Sequence, residues 1–249
     1  MSVGRRVREL RQTKGWTERE LAEKIGVTFQ QLQKYENASN RISASRLYLM
    51  CEALETTIPE FLAELYSRRR KKGGAMKMLE SAEAVKLARL FFKISSRNHQ
   101  RLYETGKPLV KTQRGKEGHT TITDKPVTHP KAHPVDIYVG RRIWQLRIIT
   151  DMTQRQISEK IDVSHQQIQK YEEARNRVSV SKLYLICEVL ETTMPEFFAD
   201  FYRKRKSKRG VMGMIESEAG TKLAGLFFRM SPGNRKRFMG LGKNLAEEG

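Results

Sequence analysis

Cysteine is almost absent from this chain. Cys51 and Cys187 are the only two, 136 residues apart, and each falls on an apolar helical stripe. Buried thiols are therefore expected rather than a disulfide scaffold or a thiolate metal site. Long hydrophobic runs are missing as well. No stretch approaches the roughly 20 apolar residues of a membrane span, and Met1–Arg6 leads into an amphipathic pattern without the apolar core of a signal peptide. Acidic residues are scarce relative to basic ones: 28 Asp and Glu face 48 Lys and Arg, a formal charge of +20 and a pI near 10.1. Such an excess suits a polyanionic partner, nucleic acid ahead of an anionic membrane. Equally absent are paired carboxylates on one face, a Cys/His pair within a plausible site, and a glycine-rich phosphate cradle. The expectation is a non-enzymatic protein with no metal or cofactor.

What the chain does have is a repeat. Sliding it by 136 residues superimposes Gly4–Tyr66 on Gly140–Tyr202 without a gap, with 36 of 63 positions identical. The match continues through Gly74–Lys107 against Gly210–Lys243, with 16 of 34 positions identical, including Leu90-Phe91-Phe92 and Leu226-Phe227-Phe228. Two copies are too few for a solenoid, so two separate globular domains are expected. The units read as residues 1–66 and 67–107, a linker at 108–135, then 136–202 and 203–249. Pro108–Pro134 lacks apolar periodicity and is rich in Gly, Thr, Lys, His and Pro, the composition of a flexible linker. His119, His129 and His133 lie there without Cys and with only the isolated Asp124 nearby, so solvated chain is favoured over a zinc site.

Helical periodicity dominates each copy and no strand is apparent, giving an all-α expectation. Val3, Val7 and Leu10 mark a first helix. Thr17-Glu18-Arg19-Glu20 reads as a capping box, with Trp16 and Leu21 as its hydrophobic staple. Leu21, Ala22 and Ile25 face inward on the second helix, which Gly26 ends with a tight turn. Thr28 opens a third helix, Phe29–Glu36, with Leu32 and Tyr35 inward and Gln30, Gln33 and Lys34 outward. Ser43 caps a fourth, carrying Leu47, Cys51 and Leu54, and Thr57-Ile58-Pro59-Glu60 starts a fifth. Met76, Leu79, Leu87, Leu90, Phe91 and Ile94 have helical spacing, and Ser95-Ser96 caps a last helix. Copy two repeats these signals from Thr153-Gln154-Arg155-Gln156 to Thr193-Met194-Pro195-Glu196.

The stretches Thr17–Glu36 and Thr153–Glu172, each two short helices about a tight turn, resemble the helix-turn-helix of the phage-repressor/Cro (XRE) family. The following Asn40-Arg41-Ile42-Ser43 and Asn176-Arg177-Val178-Ser179 segments resemble it too. The resemblance implies two lambda-repressor-like domains, each with a C-terminal helical extension. It further implies a sequence-specific, double-stranded-DNA-binding transcriptional regulator, with the third helix of each copy in the major groove. Base readers would be Phe29, Gln30, Gln33 and Lys34, and His165, Gln166, Gln169 and Lys170. Gln suits adenine N6/N7, Lys suits guanine O6/N7, and Phe29 suits a thymine methyl. Phosphate contacts would fall to Thr17, Thr28, Asn37, Asn40 and Arg41, and to Thr153, Gln154, Ser164, Asn176 and Arg177. The family's phosphate-contacting Gln at the start of the second helix is kept as Gln154 but replaced by Glu18. The Asn after the third helix is kept as Asn37 but replaced by Glu173, and Asp162 stands at the turn where copy one has Gly26. Each copy thus loses a different contact.

The basic runs Arg68-Arg69-Arg70-Lys71-Lys72 and Arg203-Lys204-Arg205-Lys206 suit flanking phosphates or a solvated hinge equally. A flexible linker of 27 residues spans about 26–31 Å, near one turn of DNA, so the two copies could serve adjacent half-sites in either orientation. RNA polymerase or a second copy of the chain are further expected partners, in the cytoplasm at the nucleoid and away from membranes. The competing class is an antitoxin or adaptor that uses the same fold to bind protein.

Overall fold

The computed structural model describes residues 2–66, 74–110, 126, 128–202 and 210–247. Both basic runs and the centre of the expected linker, with His119, lie outside them. Among the described residues all regular structure is helical, and no helix is long and apolar enough to cross a membrane. Copy one supplies α1 (Val3–Thr13), α2 (Glu18–Lys24), α3 (Phe29–Glu36), α4 (Ala44–Ala53) and α5 (Ile58–Tyr66). Its extension is α6 (Gly74–Glu80), α7 (Ala82–Phe91) and α8 (Ser96–Gly106). Copy two supplies α9 (Pro134–Ile149), α10 (Gln154–Lys160), α11 (His165–Glu172), α12 (Val180–Val189) and α13 (Met194–Phe198). Its extension is α14 (Val211–Ile215), α15 (Glu218–Arg229) and α16 (Pro232–Glu247).

The start signals act as expected. Thr17 and Glu20 form a reciprocal capping box, as do Thr153 and Gln156, satisfying backbone N–H groups that the first turn of a helix leaves unpaired. Gly26 takes φ +64° and Asp162 φ +52°, so the tight turn survives the loss of glycine because Asp tolerates the left-handed region. Cys51 and Cys187 are free and buried, and burial pushes both thiols well above their ordinary range.

Within each copy a buried ion pair ties the first helix to the third. Arg11 donates Nε to Glu36 Oε1 (2.7 Å), Nη2 to Oε2 (2.8 Å) and Nη1 to the Trp16 carbonyl (2.7 Å). Arg147 repeats this with Glu172 (2.6 and 3.0 Å) and the Met152 carbonyl (3.2 Å). The planar guanidinium fork satisfies both carboxylate oxygens, the condition on which a buried pair is tolerated. The helices cross closely because Gly4 and Gly140 stand at the crossing. A Cβ there would lie 2.2 Å from the Tyr35 carbonyl oxygen, or 2.4 Å from that of Tyr171. Tyr35 is only half-buried, and Glu36 fills the inward position beside Leu32.

The two copies are not separate bodies, which corrects the expectation drawn from a repeat of only two units. Ala44 N–H donates to the Val178 carbonyl (2.9 Å) and Val180 N–H to the Ile42 carbonyl (2.8 Å), around an antiparallel bridge between Ser43 and Ser179. Each partner is the other's repeat equivalent, so a pseudo-two-fold axis passes between them. Packing continues where α5 meets α13, where Ile58 N–H donates to the Tyr202 hydroxyl (3.2 Å), and where Tyr48 meets Phe201 edge-on (5.6 Å). The described ends of the expected linker are structured. Lys107–Leu109 forms a 3-10 turn, His129 N–H donates to the Glu173 carbonyl (2.9 Å), and His133 Nδ1 caps α9 by accepting from Val135 N–H.

The extensions pair about a pseudo-two-fold as well. Asn98 Nδ2 donates to the Leu245 carbonyl (2.9 Å) and its equivalent Asn234 donates to the Leu109 carbonyl (2.6 Å). This paired unit rests on copy two. Gln145 Nε2 donates to the Ile215 carbonyl (2.7 Å), Gly225 abuts the Ile148 backbone, and Arg229 pairs with Asp151 (2.9 Å). The first helices explain the choice. α9 is buried without a break from Arg142 to Ile149, and it carries Trp144, Ile148 and Ile149 where α1 has Arg8, Gln12 and Thr13. Apolar residues lie on more than one side of α9, and its buried polar groups are met by partners, Arg142 by Asp200, Gln145 by the Ile215 carbonyl and Arg147 by Glu172. It is therefore covered on all sides, whereas α1 is amphipathic.

Arg147→Ala strands the buried Glu172 and should lower stability by about 3–5 kcal/mol, read as an earlier urea midpoint. Arg155→Ala, at the exposed pair with Glu159, should leave that midpoint nearly in place. Equal midpoints for the two variants would contradict the role given to the buried pair.

Candidate nucleic-acid interface

α3 and α11 each bury one side and expose the other. Leu32 and Ile168 are fully buried, as Glu36 and Glu172 nearly are. Gln30, Gln33 and Lys34 are exposed, as are Gln166, Gln169 and Lys170. Phe29 and His165 stand exposed at the two helix starts. Phe29, 41% exposed, is a large apolar ring left in solvent at the first residue of the helix. Each helix is opened by a hydroxyl: Thr28 Oγ1 accepts from Gln31 N–H and Ser164 Oγ from Gln167 N–H, both at 3.2 Å.

The outward polar groups differ in how far they are already engaged. Gln33 makes no side-chain hydrogen bond among the described residues, whereas Gln169 Nε2 donates to Glu173 Oε1 (2.9 Å). Glu173 also pairs with Arg175 (3.0 Å). In copy one Asn37 holds the position of Glu173, and its Oδ1 accepts from Arg8 Nη2 (2.5 Å). The outward amide of copy one is thus free where that of copy two is braced by a carboxylate.

The replaced residue at the start of the second helix has a local explanation. Gln154 is half-buried and donates Nε2 to Glu172 Oε2 (2.8 Å). Glu18 cannot donate to a carboxylate. It lies 3.8 Å from Arg11 Nη2, while Arg8 Nε donates to Glu36 Oε2 (3.2 Å), the role that Gln154 fills in copy two. Arg8 with Glu18, and Trp144 with Gln154, are therefore two solutions to completing the shell of one buried carboxylate. One amide hydrogen of Gln154 is committed in this way, a constraint invisible in the sequence.

The remaining expected backbone contacts scatter. The hydroxyls of Thr17 and Thr153 are engaged in their capping boxes. Asn176 Nδ2 donates to Gln167 Oε1 (3.3 Å), while Asn40 is exposed. Arg41 and Arg177 project from the loops that converge on the pseudo-two-fold. Arg177 Nε lies 3.8 Å from Asp136 Oδ2. Burial raises the Asp136 carboxyl above its ordinary range, with Ser45 and Arg177 pulling the other way. Arg41 has no acid partner among the described residues, and its charge lowers the pKa of Tyr171, which burial raises overall. That proximity of Arg41 to the opposite copy's third helix was not legible from either copy alone.

A helix-turn-helix family model matches residues 7–61 and 145–197, once in each copy. An uncharacterised HTH-type transcriptional regulator of Sinorhizobium medicae is 33% identical over 129 residues, covering 47% of this chain and 93% of the relative. One of Rickettsia conorii is 45% identical over 64 residues, 26% of this chain and 51% of the relative. A transcriptional regulator in the ATPase CF(0) region of Rhodospirillum rubrum is 45% identical over 71 residues, covering 28% and 66%. The chain spans about half the length of the Rickettsia relatives it matches, and nearly all of the Sinorhizobium medicae relative corresponds to a little under half of this chain. No solved structure gives a significant match. The chain belongs to the helix-turn-helix family of the XRE type, with the family's unit present twice.

Proposed function

We propose that the protein is a DNA-binding transcriptional regulator that engages two similar half-sites in inverted orientation, one through α3 and one through α11. The observation that carries the orientation is the reciprocal pair of backbone hydrogen bonds, Ala44 to Val178 and Val180 to Ile42. Two surfaces related by a two-fold axis present their reading helices antiparallel, and DNA matches that symmetry with an inverted repeat. The charge of +20 supplies the sequence-independent attraction, and the exposed Gln and Lys side chains supply base-edge donors and acceptors. The half-sites are not identical: Phe29 favours a thymine methyl where His165 presents ring nitrogens, and Gln33 is freer to turn toward a base than Gln169. The role calls for no catalysis, and places the protein on the chromosome in the cytoplasm, with RNA polymerase or a second copy of the chain as further partners.

Operators selected in vitro should be imperfect inverted repeats, and reversing one half-site to make a direct repeat should weaken binding at least about tenfold, or 1.4 kcal/mol. Equal affinity for both arrangements would defeat the two-fold reading. Gln30→Ala should cost about 1–3 kcal/mol, sensitive to one base pair in one half-site, measured by titration against single-base operator variants. A footprint unchanged by Gln30→Ala and Gln166→Ala together would end the groove-reading model.

A further inference from the structure

Away from both reading helices, α7 and α16 frame an open groove of about 1070 Å³. Its apolar floor includes Leu90, Phe227 and Met239, and its walls carry Lys86, Arg89, Lys93, Lys236 and Lys243. None of these five cations forms an ion pair among the described residues. The other basic wall residue, Arg235, is neutralised by Glu83 and held by the Phe227 and Phe228 carbonyls. Leu90 and Phe227 are already nearly buried and Met239 is partly so, so little apolar surface is open. With Glu247 the one acid of the lining not paired to Arg235, the five cations ask for carboxylates.

The opposite side of the pseudo-two-fold shows what shape such a face receives. On α15, Gly225 corresponds to Arg89 and Arg229 to Lys93, and that face is covered by a helix, α9. Gly225 lets the Ile148 backbone approach, and Asp151, just beyond the end of α9, meets Arg229. Copy one's own first helix cannot do the same for α7. Its equivalents of Ile148 and Asp151 are Gln12 and Gly15, and it is rich in arginine, so it has neither the apolar residue nor the acid and would be repelled.

We propose that the α7–α16 groove docks an acidic amphipathic helix of a partner protein, whose apolar stripe lies on Met239 and the narrow exposed edges of Leu90 and Phe227 and whose carboxylates meet Arg89, Lys93 and Lys236. This is helix-in-groove recognition with charge complementarity. It is independent of which operator the reading helices select, because the groove shares no residue with them.

The test uses the full chain and fluorescently labelled synthetic peptides of about 18 residues, long enough to form a helix on binding. One has Leu at i, i+3, i+4 and i+7 and Glu elsewhere, and a second keeps the Glu but replaces Leu by Ser. Anisotropy should show the Leu/Glu peptide binding at least about tenfold more tightly than the Ser/Glu peptide. Arg89→Glu with Lys93→Glu and Lys236→Glu should weaken it by about tenfold or more, and Met239→Glu should do so through the floor. The same number of reversals elsewhere, Lys77→Glu, Arg97→Glu and Lys131→Glu, should leave it within about twofold. All variants are first matched to the parent by circular dichroism and melting temperature.

Equal binding of the two peptides, or equal loss with the distant reversals, would mean general attraction to a basic protein and would overturn the proposal. A fall in duplex DNA affinity matching the fall in peptide affinity in the groove variant would reassign the groove to phosphate. Self-association of the parent that the groove variant abolishes would reassign it to a second copy of this chain.

Discussion

The backbone pairing of Ile42–Ala44 with its repeat equivalent, Val178–Val180, governs how the two third helices, α3 and α11, stand to one another. Each loop leaves its third helix and within a few residues donates one N–H and offers one carbonyl to the same loop of the other copy. Because the paired groups are repeat equivalents, the contact is isologous, the arrangement by which identical surfaces close on themselves. A covalent duplication does not require this geometry, since the connecting segment could have tethered two independent bodies. The burial of Ile42, Val178 and Val180 at the contact makes the closed arrangement favourable, and the hydrogen bonds give it a register.

Onto that symmetric centre the chain builds an asymmetric periphery. The paired extensions could seat equally on α1 or α9 if the copies were the same. Arg8, Gln12 and Gly15 in one copy and Trp144, Ile148 and Asp151 in the other decide the matter through desolvation: burying the arginine and glutamine would need partners that α15 does not offer, whereas the tryptophan and isoleucine gain by leaving water. The face of α7 left uncovered is a consequence of that choice. Divergence between the copies has thus converted one of two equivalent packing surfaces into a free one.

The same logic operates inside each helix-turn-helix. Glu36 and Glu172 are buried acceptors whose oxygens must be satisfied, and the bidentate Arg11 or Arg147 supplies most of what they need. The remaining donor comes from Arg8 in copy one and Gln154 in copy two. Substitutions that look like lost phosphate contacts along the chain are, in space, exchanges within one hydrogen-bond network. What such a position has left to offer any other partner depends on the hydrogens that remain after the carboxylate is served.

The sequence by itself determined the local architecture. Capping boxes at Thr17 and Thr153, the left-handed turn at Gly26 and Asp162, and the outward placement of Gln30, Lys34, Gln166 and Lys170 were all legible, because caps, turns and helical faces depend on residues only a few positions apart. The repeat was legible as identity at a constant offset. Only the tertiary structure decided that the copies close on one another, that the extensions pair and then favour α9, and that Glu36 and Glu172 are buried behind arginines. These depend on which surfaces meet across distant parts of the chain, and two copies with nearly the same pattern give a linear reading no means of distinguishing self-contact from cross-contact. The few differences that break the symmetry, Arg8 against Trp144 foremost, acquire their meaning only when a neighbour is present to cover one and leave the other in water.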